Sequence, residues 1–288
     1  MNTAATMPFR KMNGLGNDFV ILDARQKPAN LEVDDIRRIG DRASGPGCDQ
    51  VIVLEPSEKA DVFMRIFNAD GSEVGACGNA ARCVALLLAQ ESGRDKIGIE
   101  TSAGLLAAQV DGADRVVIDM GKPKFGWDEI PLAEPFHDTT RIELQIGPID
   151  APVLHSPSVV NVGNPHAIFW VGDVDTHDLA RSGPLLENHP IFPERANISL
   201  AQVISRDRIK LRTWERGAGL TKACGTAACA AAVAAARKGL VDRSVTVELP
   251  GGVLLIDWRQ DDRILMSGPA EFEFEGMLGP EFLSRAPV

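Results

Sequence analysis

The sequence has few cysteines, no long apolar run and no excess of basic residues. Five cysteines in 288 residues are too few, and odd in number, for a disulfide framework, so thiols in a reducing compartment are expected. The longest nearly apolar run, 227–236, is too short to span a membrane. Lys and Arg number 30 against 40 Asp and Glu, and the net charge of −10 argues against a nucleic-acid or membrane partner. Because the N-terminus also lacks the apolar segment of a signal peptide, a cytoplasmic protein is predicted.

The composition is otherwise that of a soluble globular protein. Hydrophobic residues make up 44% of the chain and charged residues 24%, so a sizeable packed core is expected. At roughly 150 residues per domain, the length favours about two domains. Residues 1–6 are expected to form a disordered extension.

The sequence also contains an internal repeat. Shifting the chain by 147 residues places Gly16 and Asn17 on Gly163 and Asn164. The same shift aligns Gln50 with Asn197, Asn68 with Glu215, and the Ala-Cys-Gly triplet at 76–78 with that at 223–225. Beyond the second triplet the offset becomes 148, and 99–106 falls on 247–254. Because separated motifs share one register, the two halves are interpreted as products of a duplication.

The two halves predict the same secondary structure. β-rich stretches bounded by Gly, Asp and Asn indicate strands at 19–24, 62–68, 167–171 and 209–214. An apolar helix follows each triplet and ends before Gly93 in the first half and before Gly239 in the second. Helices that are apolar on all sides are buried. The prediction is an α/β (α+β) fold in which the strands of each half surround a central helix.

Cys77 and Cys224 are predicted at the starts of these helices. The positive end of the helix dipole and the unpaired N–H groups there lower the pKa of a thiol and favour the thiolate. The same N–H groups can bind a carboxylate; they belong to Gly78, Asn79, Gly225 and Thr226. The remaining thiols, Cys48, Cys83 and Cys229, are interpreted as packing residues.

Two such thiols facing one anion site predict a proton transfer that inverts a carbon centre. If one thiolate removes a proton and a thiol on the opposite face returns one, the stereochemistry inverts, while backbone N–H groups stabilise the developing charge. The pair shares one proton at rest, because neighbouring thiolates repel each other. This chemistry is that of a racemase or epimerase without a cofactor.

The C-x5-C and C-x4-C spacings argue against zinc, and a redox dithiol stays a weaker alternative.

The motifs together resemble the diaminopimelate epimerase family, whose members interconvert LL- and meso-diaminopimelate without pyridoxal phosphate. They are GLGNDF (14–19), GCDQ (47–50), NADGSEVGACGNAARC (68–83), GNPH (163–166) and ERGAGLTKACGTAAC (215–229). The resemblance implies two pseudo-symmetric domains, each a strand barrel wrapped around a central helix, with the active site in the cleft. It further implies an N-terminal domain at 1–124 completed by about 271–288, a C-terminal domain at 125–270, and a homodimer.

The resemblance assigns roles to individual residues. Cys77 and Cys224 match the two catalytic bases, and His166 and Glu215 match a pair that assists proton handling. Substrate-binding positions are implied at Asn17, Gln50, Asn68, Gly78, Asn79, Asn164, Asn197, Glu215, Arg216, Gly225 and Thr226. A small amino acid is the expected partner, and neither a cofactor nor a metal is expected. Ala80 and Ala227 depart from a family preference for Gly, and their effect on the ligand is left open.

Three other functions remain open at the level of sequence. A related racemase acting on proline or hydroxyproline would share the fold, but a monocarboxylic substrate would not need Glu215 and Arg216 beside the amides. A phenazine-pathway isomerase need not keep both cysteines. A two-lobed amino-acid-binding protein without catalysis would not need Cys77 and Cys224.

Overall fold

The computed structural model describes residues 6–284. Residues 1–5 of the predicted extension, and residues 285–288 of the segment predicted to complete the first domain, lie outside this range. The chain divides into two compact units. Unit 1 contains the described residues up to Ile118 and from Gly268 onward, and unit 2 runs from Asp119 to Ser267.

Unit 1 is built from strands and two helices. Its strands are β1 (Met7–Gly14), β2 (Asn17–Asp23), β3 (Gln50–Glu55), β4 (Val62–Asn68), β5 (Glu73–Val74), β6 (Lys96–Thr101), β7 (Gly104–Asp111), β8 (Arg115–Asp119) and, from the C-terminal segment, β19 (Glu271–Leu278). Its helices are α1 (Val33–Gly40) and α2 (Gly78–Ser92), with a short 3-10 helix at Pro280–Phe282. The chain's C-terminal strand β19 pairs antiparallel with β1, so both described ends of the chain lie in this unit.

Unit 2 repeats this order after an additional pair of short strands. Its strands are β9 (Gln145–Ile146), β10 (Leu154–His155), β11 (Ser158–Asn161), β12 (Pro165–Trp170), β13 (Asn197–Ser205), β14 (Arg208–Glu215), β15 (Gly219–Thr221), β16 (Ser244–Leu249), β17 (Gly252–Trp258) and β18 (Ile264–Pro269). Its helices are α3 (Leu179–Glu187) and α4 (Gly225–Arg237), with a 3-10 turn at Val174–Thr176.

Equivalent strands pair in the same register in the two units. The parallel pair β2–β3 places Phe19 opposite Gln50, and the parallel pair β12–β13 places His166 opposite Asn197. Each helix that follows the Ala-Cys-Gly triplet starts at the glycine of that triplet, as the repeat requires. The predicted α/β fold with an internal duplication is therefore confirmed.

The central helices are buried as their apolar sequences predict. Helix α2 packs against β1, β6 and β7, and α4 packs against β11 to β14, β16 and β17. Ten residues of α4 are buried, most of them alanines, which allow the surrounding strands to approach closely. Within residues 6–284, no helix has the length and hydropathy needed to cross a membrane.

Candidate active site

A tight hairpin sets the position of Asn17. Leu15 and Gly16 have positive φ angles of 60° and 76° between β1 and β2, as a two-residue hairpin turn of the primed type requires. The Gly16 N–H donates to Asn13 Oδ1 over 2.9 Å, which closes the turn. Asn17 is consequently the first residue of β2, at the same end of the sheet as the first residue of β3.

Cys77 is the N-cap of α2. Its backbone is extended, with φ −148° and ψ 111°, and its Sγ accepts the Ala80 N–H at 3.5 Å. The thiol also lies 3.8 Å from Asn17 Oδ1, and that oxygen accepts Asn79 Nδ2 at 3.4 Å. The predicted site residues Asn17, Cys77 and Asn79 therefore form one cluster at the N-terminus of a buried helix.

Gln50 and Asn68 form a second amide pair in unit 1. They are opposite each other in the β3–β4 ladder, and Gln50 Nε2 donates to Asn68 Oδ1 over 3.0 Å. Asn68 Nδ2 donates to Ser72 Oγ at 3.0 Å, and Ser72 Oγ donates in turn to Asp70 at 2.6 Å. This series of hydrogen bonds leaves Gln50 Oε1 buried without a hydrogen-bond partner among the described residues. A buried bare acceptor is suited to an N–H donor such as an ammonium group.

Cys224 is the N-cap of α4 in unit 2 and is almost completely buried. Its Sγ lies 3.4 Å from Thr226 Oγ1. Burial and the negative charge of Glu215 both raise the pKa of Cys224 well above its ordinary value. Glu215 is itself held by Thr221, whose hydroxyl donates to Glu215 Oε1 over 2.5 Å. Cys224 is consequently a protonated thiol beside a carboxylate at neutral pH.

His166 is fully buried and neutral. Burial, assisted by the positive charge of Arg216, lowers the pKa of His166 from 6.5 to about 3. Its Nε2 lies 2.8 Å from Asn164 Oδ1, which can only accept, so the ring proton is on Nε2. His166 Nδ1 is then an acceptor, and it has no partner among the residues described.

Asn197 uses its amide to shape the loop that carries Arg216. Its Nδ2 donates to the Pro165 carbonyl over 3.0 Å, and its Oδ1 accepts the Arg216 N–H at 2.9 Å. The residue is 2% exposed. The guanidinium of Arg216 donates through Nη1 to the Glu194 carbonyl at 2.9 Å. In this arrangement Asn197 positions the loop of Arg216, and a direct bond to a ligand would use the second Nδ2 hydrogen or the second Oδ1 lone pair.

The first turn of α4 is closely packed beside Cys224. A Cβ on Gly225 would lie 2.7 Å from Met266 Sδ, and Ala227 next to it is completely buried. In the other unit Ala80 is equally buried. The methyl groups of Ala80 and Ala227 therefore fill space inside the first helical turns.

The packing residues Cys48 and Cys83 are buried, and burial raises the pKa of these thiols to about 11 and about 12.

The predicted residues are divided between the two units. Unit 1 holds Asn17, Gln50, Asn68, Cys77, Gly78 and Asn79, and unit 2 holds Asn164, His166, Asn197, Glu215, Arg216, Cys224, Gly225 and Thr226. Within residues 6–284 there is no group of three or more His, Cys, Asp or Glu side chains arranged to hold a metal ion.

The sequence reasoning missed the charged residues that support these residues. Arg42 bridges Asp18 and Asp49, with Nη2 at 2.7 Å from each carboxylate. Arg82 is fully buried in α2 and donates to Asn79 Oδ1 at 2.9 Å. Asp18 and Asp49 directly adjoin Asn17 and Gln50 in their motifs, and this adjacency could have indicated that the two carboxylates support the site. The sequence gives no such indication for Arg82, because a basic residue in a helix is ordinarily exposed.

Solved structures of low sequence identity share this fold over nearly the whole chain. A hydroxyproline epimerase from Agrobacterium vitis, solved with bound trans-4-OH-L-proline, superposes with a TM-score of 0.68 at 15% identity, covering 97% of this chain and 94% of that one. At this level of identity the likeness concerns the fold alone.

Sequence similarity then gives the family. The profile of the diaminopimelate epimerase family matches residues 9–126 and 158–273. A diaminopimelate epimerase of Rhodopseudomonas palustris strain BisB18 is 58% identical over 289 residues, covering 99% of both chains. One from Nitrobacter hamburgensis is 57% identical, covering 97% of this chain and 98% of the relative. The chain belongs to the diaminopimelate epimerase family and is an enzyme of the isomerase class.

Proposed function

We propose that this enzyme interconverts LL- and meso-2,6-diaminopimelate with Cys77 and Cys224 as its two acid–base groups and without a cofactor. The observation that carries the proposal is the duplicated cap: each thiol is the N-cap of a buried helix, at equivalent positions of two copies of one unit. Family membership supplies the substrate, since the matching relatives are named diaminopimelate epimerases.

The reaction is a proton exchange at one α-carbon. The thiolate of one cysteine takes the α-proton, so a C–H bond breaks, an S–H bond forms and the electron pair stays on the substrate. The thiol of the other cysteine gives its proton to the opposite face, which forms the new C–H bond and leaves a thiolate. Because one proton leaves from one face and a different proton is added to the opposite face, the product has the opposite configuration at that carbon.

Backbone N–H groups at the helix starts stabilise the intermediate. Charge from the carbanion is delocalised into the adjacent carboxylate, and N–H groups at a helix N-terminus bind such an oxyanion. We assign this role to Gly78, Asn79, Gly225 and Thr226. The protonated state of Cys224, set by burial and by Glu215, suits it to be the proton donor in one direction of the reaction.

Polar side chains recognise the far end of the substrate. Diaminopimelate carries an ammonium and a carboxylate at the end that does not react, and these need acceptors and donors respectively. The bare Gln50 Oε1 and the Glu215 carboxylate are acceptors, while the Arg216 guanidinium is the donor suited to a carboxylate. Asn17, Asn68, Asn164 and Asn197 complete the binding set, and neutral His166 assists proton handling together with Glu215.

The product is a precursor of lysine and peptidoglycan, so we place the enzyme in these biosynthetic routes. We further propose that it acts in the cytoplasm as a homodimer, with a small amino acid rather than a nucleic acid or a membrane as its partner. Sedimentation equilibrium tests the dimer, and a monomeric mass at micromolar concentration would contradict it.

Deuterium exchange tests the reaction directly. The enzyme is incubated in D2O with LL-diaminopimelate or, in a parallel sample, with L-proline, and α-deuterium incorporation is followed by proton NMR. Incorporation into diaminopimelate without added pyridoxal phosphate is expected. Exchange of proline instead would assign the chain to the related racemases, and exchange of neither would refute the proposal.

Variants of the cysteines test the assignment of the two thiols. Cys77→Ser and Cys224→Ser are expected to abolish epimerisation with unchanged circular dichroism. Cys83→Ala and Cys229→Ala are matched controls, because these thiols lie in the same two helices one to two turns further along. Full turnover in either Ser variant would contradict the two-thiol mechanism.

A further inference from the structure

The amide of Asn17 connects the Cys77 thiol to an ion-pair cluster. Asn17 Nδ2 donates to Asp49 Oδ2 over 2.8 Å. On its other side, Asn17 Oδ1 lies 3.8 Å from Cys77 Sγ and accepts Asn79 Nδ2 at 3.4 Å. One planar group therefore spans the distance between a carboxylate and the thiol.

The carboxylate determines which end of the amide faces the thiol. A carboxylate has no hydrogen to donate, so only the NH2 end of Asn17 can face Asp49. The oxygen end must then face Cys77. The orientation of the Asn79 amide is likewise determined by a charged group, here the cation Arg82. Because a guanidinium can only donate, the oxygen Asn79 Oδ1 must face Arg82 and accept its hydrogen bond. The NH2 end of Asn79 is left to meet Asn17 Oδ1, so the two amides are mutually consistent.

Asp49 is itself held firmly. Arg42 Nη2 donates to Asp49 Oδ1 over 2.7 Å and to Asp18 Oδ1 over 2.7 Å. The backbones of Asp18 and Asp49 donate to each other's carboxylates, at 3.2 Å and 3.0 Å. Lys11, which is 4% exposed, adds a salt bridge of 2.5 Å to Asp18. Charge-assisted hydrogen bonds of this kind are strong enough to fix an orientation.

We infer that Asp49 is a positioning residue for the Cys77 thiol: it holds the Asn17 amide so that an acceptor oxygen, and not an N–H donor, faces the sulfur. The inference rests on the proposed catalytic role of Cys77. An acceptor at this position aligns the S–H bond and favours the protonated thiol, whereas an N–H donor would stabilise the thiolate. Asp49 thereby sets the proton occupancy of one of the two acid–base groups without touching it.

Asp49→Asn should reverse the amide. Arg42 is a permanent cation, so the oxygen of the substituted side chain stays on Arg42 and its NH2 group faces the NH2 group of Asn17. Two donors cannot bond, so Asn17 rotates to present its oxygen to position 49 and its N–H to Cys77 Sγ. The rotation gives up the 3.4 Å bond from Asn79 Nδ2, which is longer than the 2.8 Å contact at position 49 that it restores. Arg82 and Glu273, the charged groups that act on Cys83 in the same helix, are unchanged by the substitution.

Alkylation of Cys77 by iodoacetamide, followed over pH by mass spectrometry of the Cys77 peptide, measures the thiolate. Asp49→Asn is expected to speed alkylation at neutral pH about tenfold and to move the inflection of the profile to lower pH. Asp49→Glu, which restores a carboxylate, should behave like the parent. Asp61→Asn is the control for removing one negative charge, since Asp61 pairs with Arg94 and a backbone N–H away from Asn17.

A double-mutant cycle separates the amide route from a direct effect of charge. In an Asn17→Ala background Asp49→Asn should leave the Cys77 profile unchanged, because the group that transmits the effect is gone. An acceleration that persists in this background, or a profile of Asp49→Asn equal to the parent's, would overturn the inference. Asp49→Ala, which removes the carboxylate without adding a donor, frees the amide and provides a second variant should Asp49→Asn fail to fold. Alkylation needs no substrate, so this result is independent of the reaction proposed above.

Discussion

The buried carboxylate of Glu187 supports the loop that carries Glu215 and Arg216. Glu187 ends α3, and its Oε2 accepts the indole N–H of Trp214 at 2.7 Å. Its Oε1 accepts the Gly217 N–H at 2.9 Å and Arg195 Nη1 at 3.2 Å. These bonds hold the residues on both sides of the pair that is proposed to bind the substrate.

Replacing Glu187 with Gln preserves the shape and removes one acceptor. If the new NH2 group faces Trp214, the indole N–H loses its partner, and if it faces Gly217, a backbone N–H does. Either way a buried donor meets another donor, and a buried polar group left without a partner costs about 1–3 kcal/mol. Together with the lost charge-assisted bond, we expect the free energy of unfolding to fall by about 2–4 kcal/mol, or the melting temperature by roughly 4–12 °C.

Thermal melting and steady-state kinetics test this expectation. Because the loop is loosened, Glu187→Gln should also lower kcat/KM for diaminopimelate, by about tenfold. Glu248→Gln is the control: its salt bridge to Arg208 is exposed and should contribute less than about 1 kcal/mol. A Glu187→Gln enzyme that melts with the parent and has normal kinetics would refute the idea that this carboxylate supports the loop.

Three more outcomes are expected. Glu215→Gln removes the charge that, with burial, raises the pKa of Cys224, so iodoacetamide should alkylate Cys224 faster at a given pH; an unchanged rate would contradict this coupling. Ser72→Ala frees the Asn68 amide, and we expect a several-fold rise in KM for diaminopimelate at nearly constant kcat, measured by initial rates. The folded pKa of His166 lies below its ordinary value of 6.5, so the unfolded chain binds more protons and stability should decline as the pH falls from about 6.5. Urea titrations of His166→Gln should show a smaller decline over this range, and an equal one would argue against a neutral buried imidazole.

The features that repeat along the chain were the ones that the sequence predicted well. A duplicated register leaves the same residue types at the same strand and helix positions, so it can be read without knowing any contact. The pairs Phe19–Gln50 and His166–Asn197 are opposite each other in equivalent ladders, as the offset of the two copies predicts. The placement of Cys77 and Cys224 as N-caps followed from the same offset together with the ordinary signals for helix starts and stops.

What could not be predicted is which atoms of a polar side chain are already occupied. Asn197 was assigned to the substrate by resemblance, and the structure gives both ends of its amide to backbone groups of Pro165 and Arg216. Whether Asn197 also contacts the substrate stays a prediction. Glu187 had no sequence signal at all, because a glutamate at a helix end is ordinarily an exposed residue. Its burial results from tertiary contacts with Trp214 and Gly217, which lie far along the chain.

The two copies have kept their geometry and diverged in the chemistry next to the thiol. In unit 1 the Cys77 thiol lies next to the neutral amide of Asn17, and the NH2 end of that amide donates to the carboxylate of Asp49. In unit 2 burial raises the pKa of the Cys224 thiol, and the negative charge of Glu215 adds to this shift. A neutral amide oxygen favours a protonated sulfur less than burial combined with a neighbouring carboxylate does. The two thiols of a duplicated enzyme can in this way differ in proton affinity, and in the proposed mechanism this difference favours one location for the proton at rest.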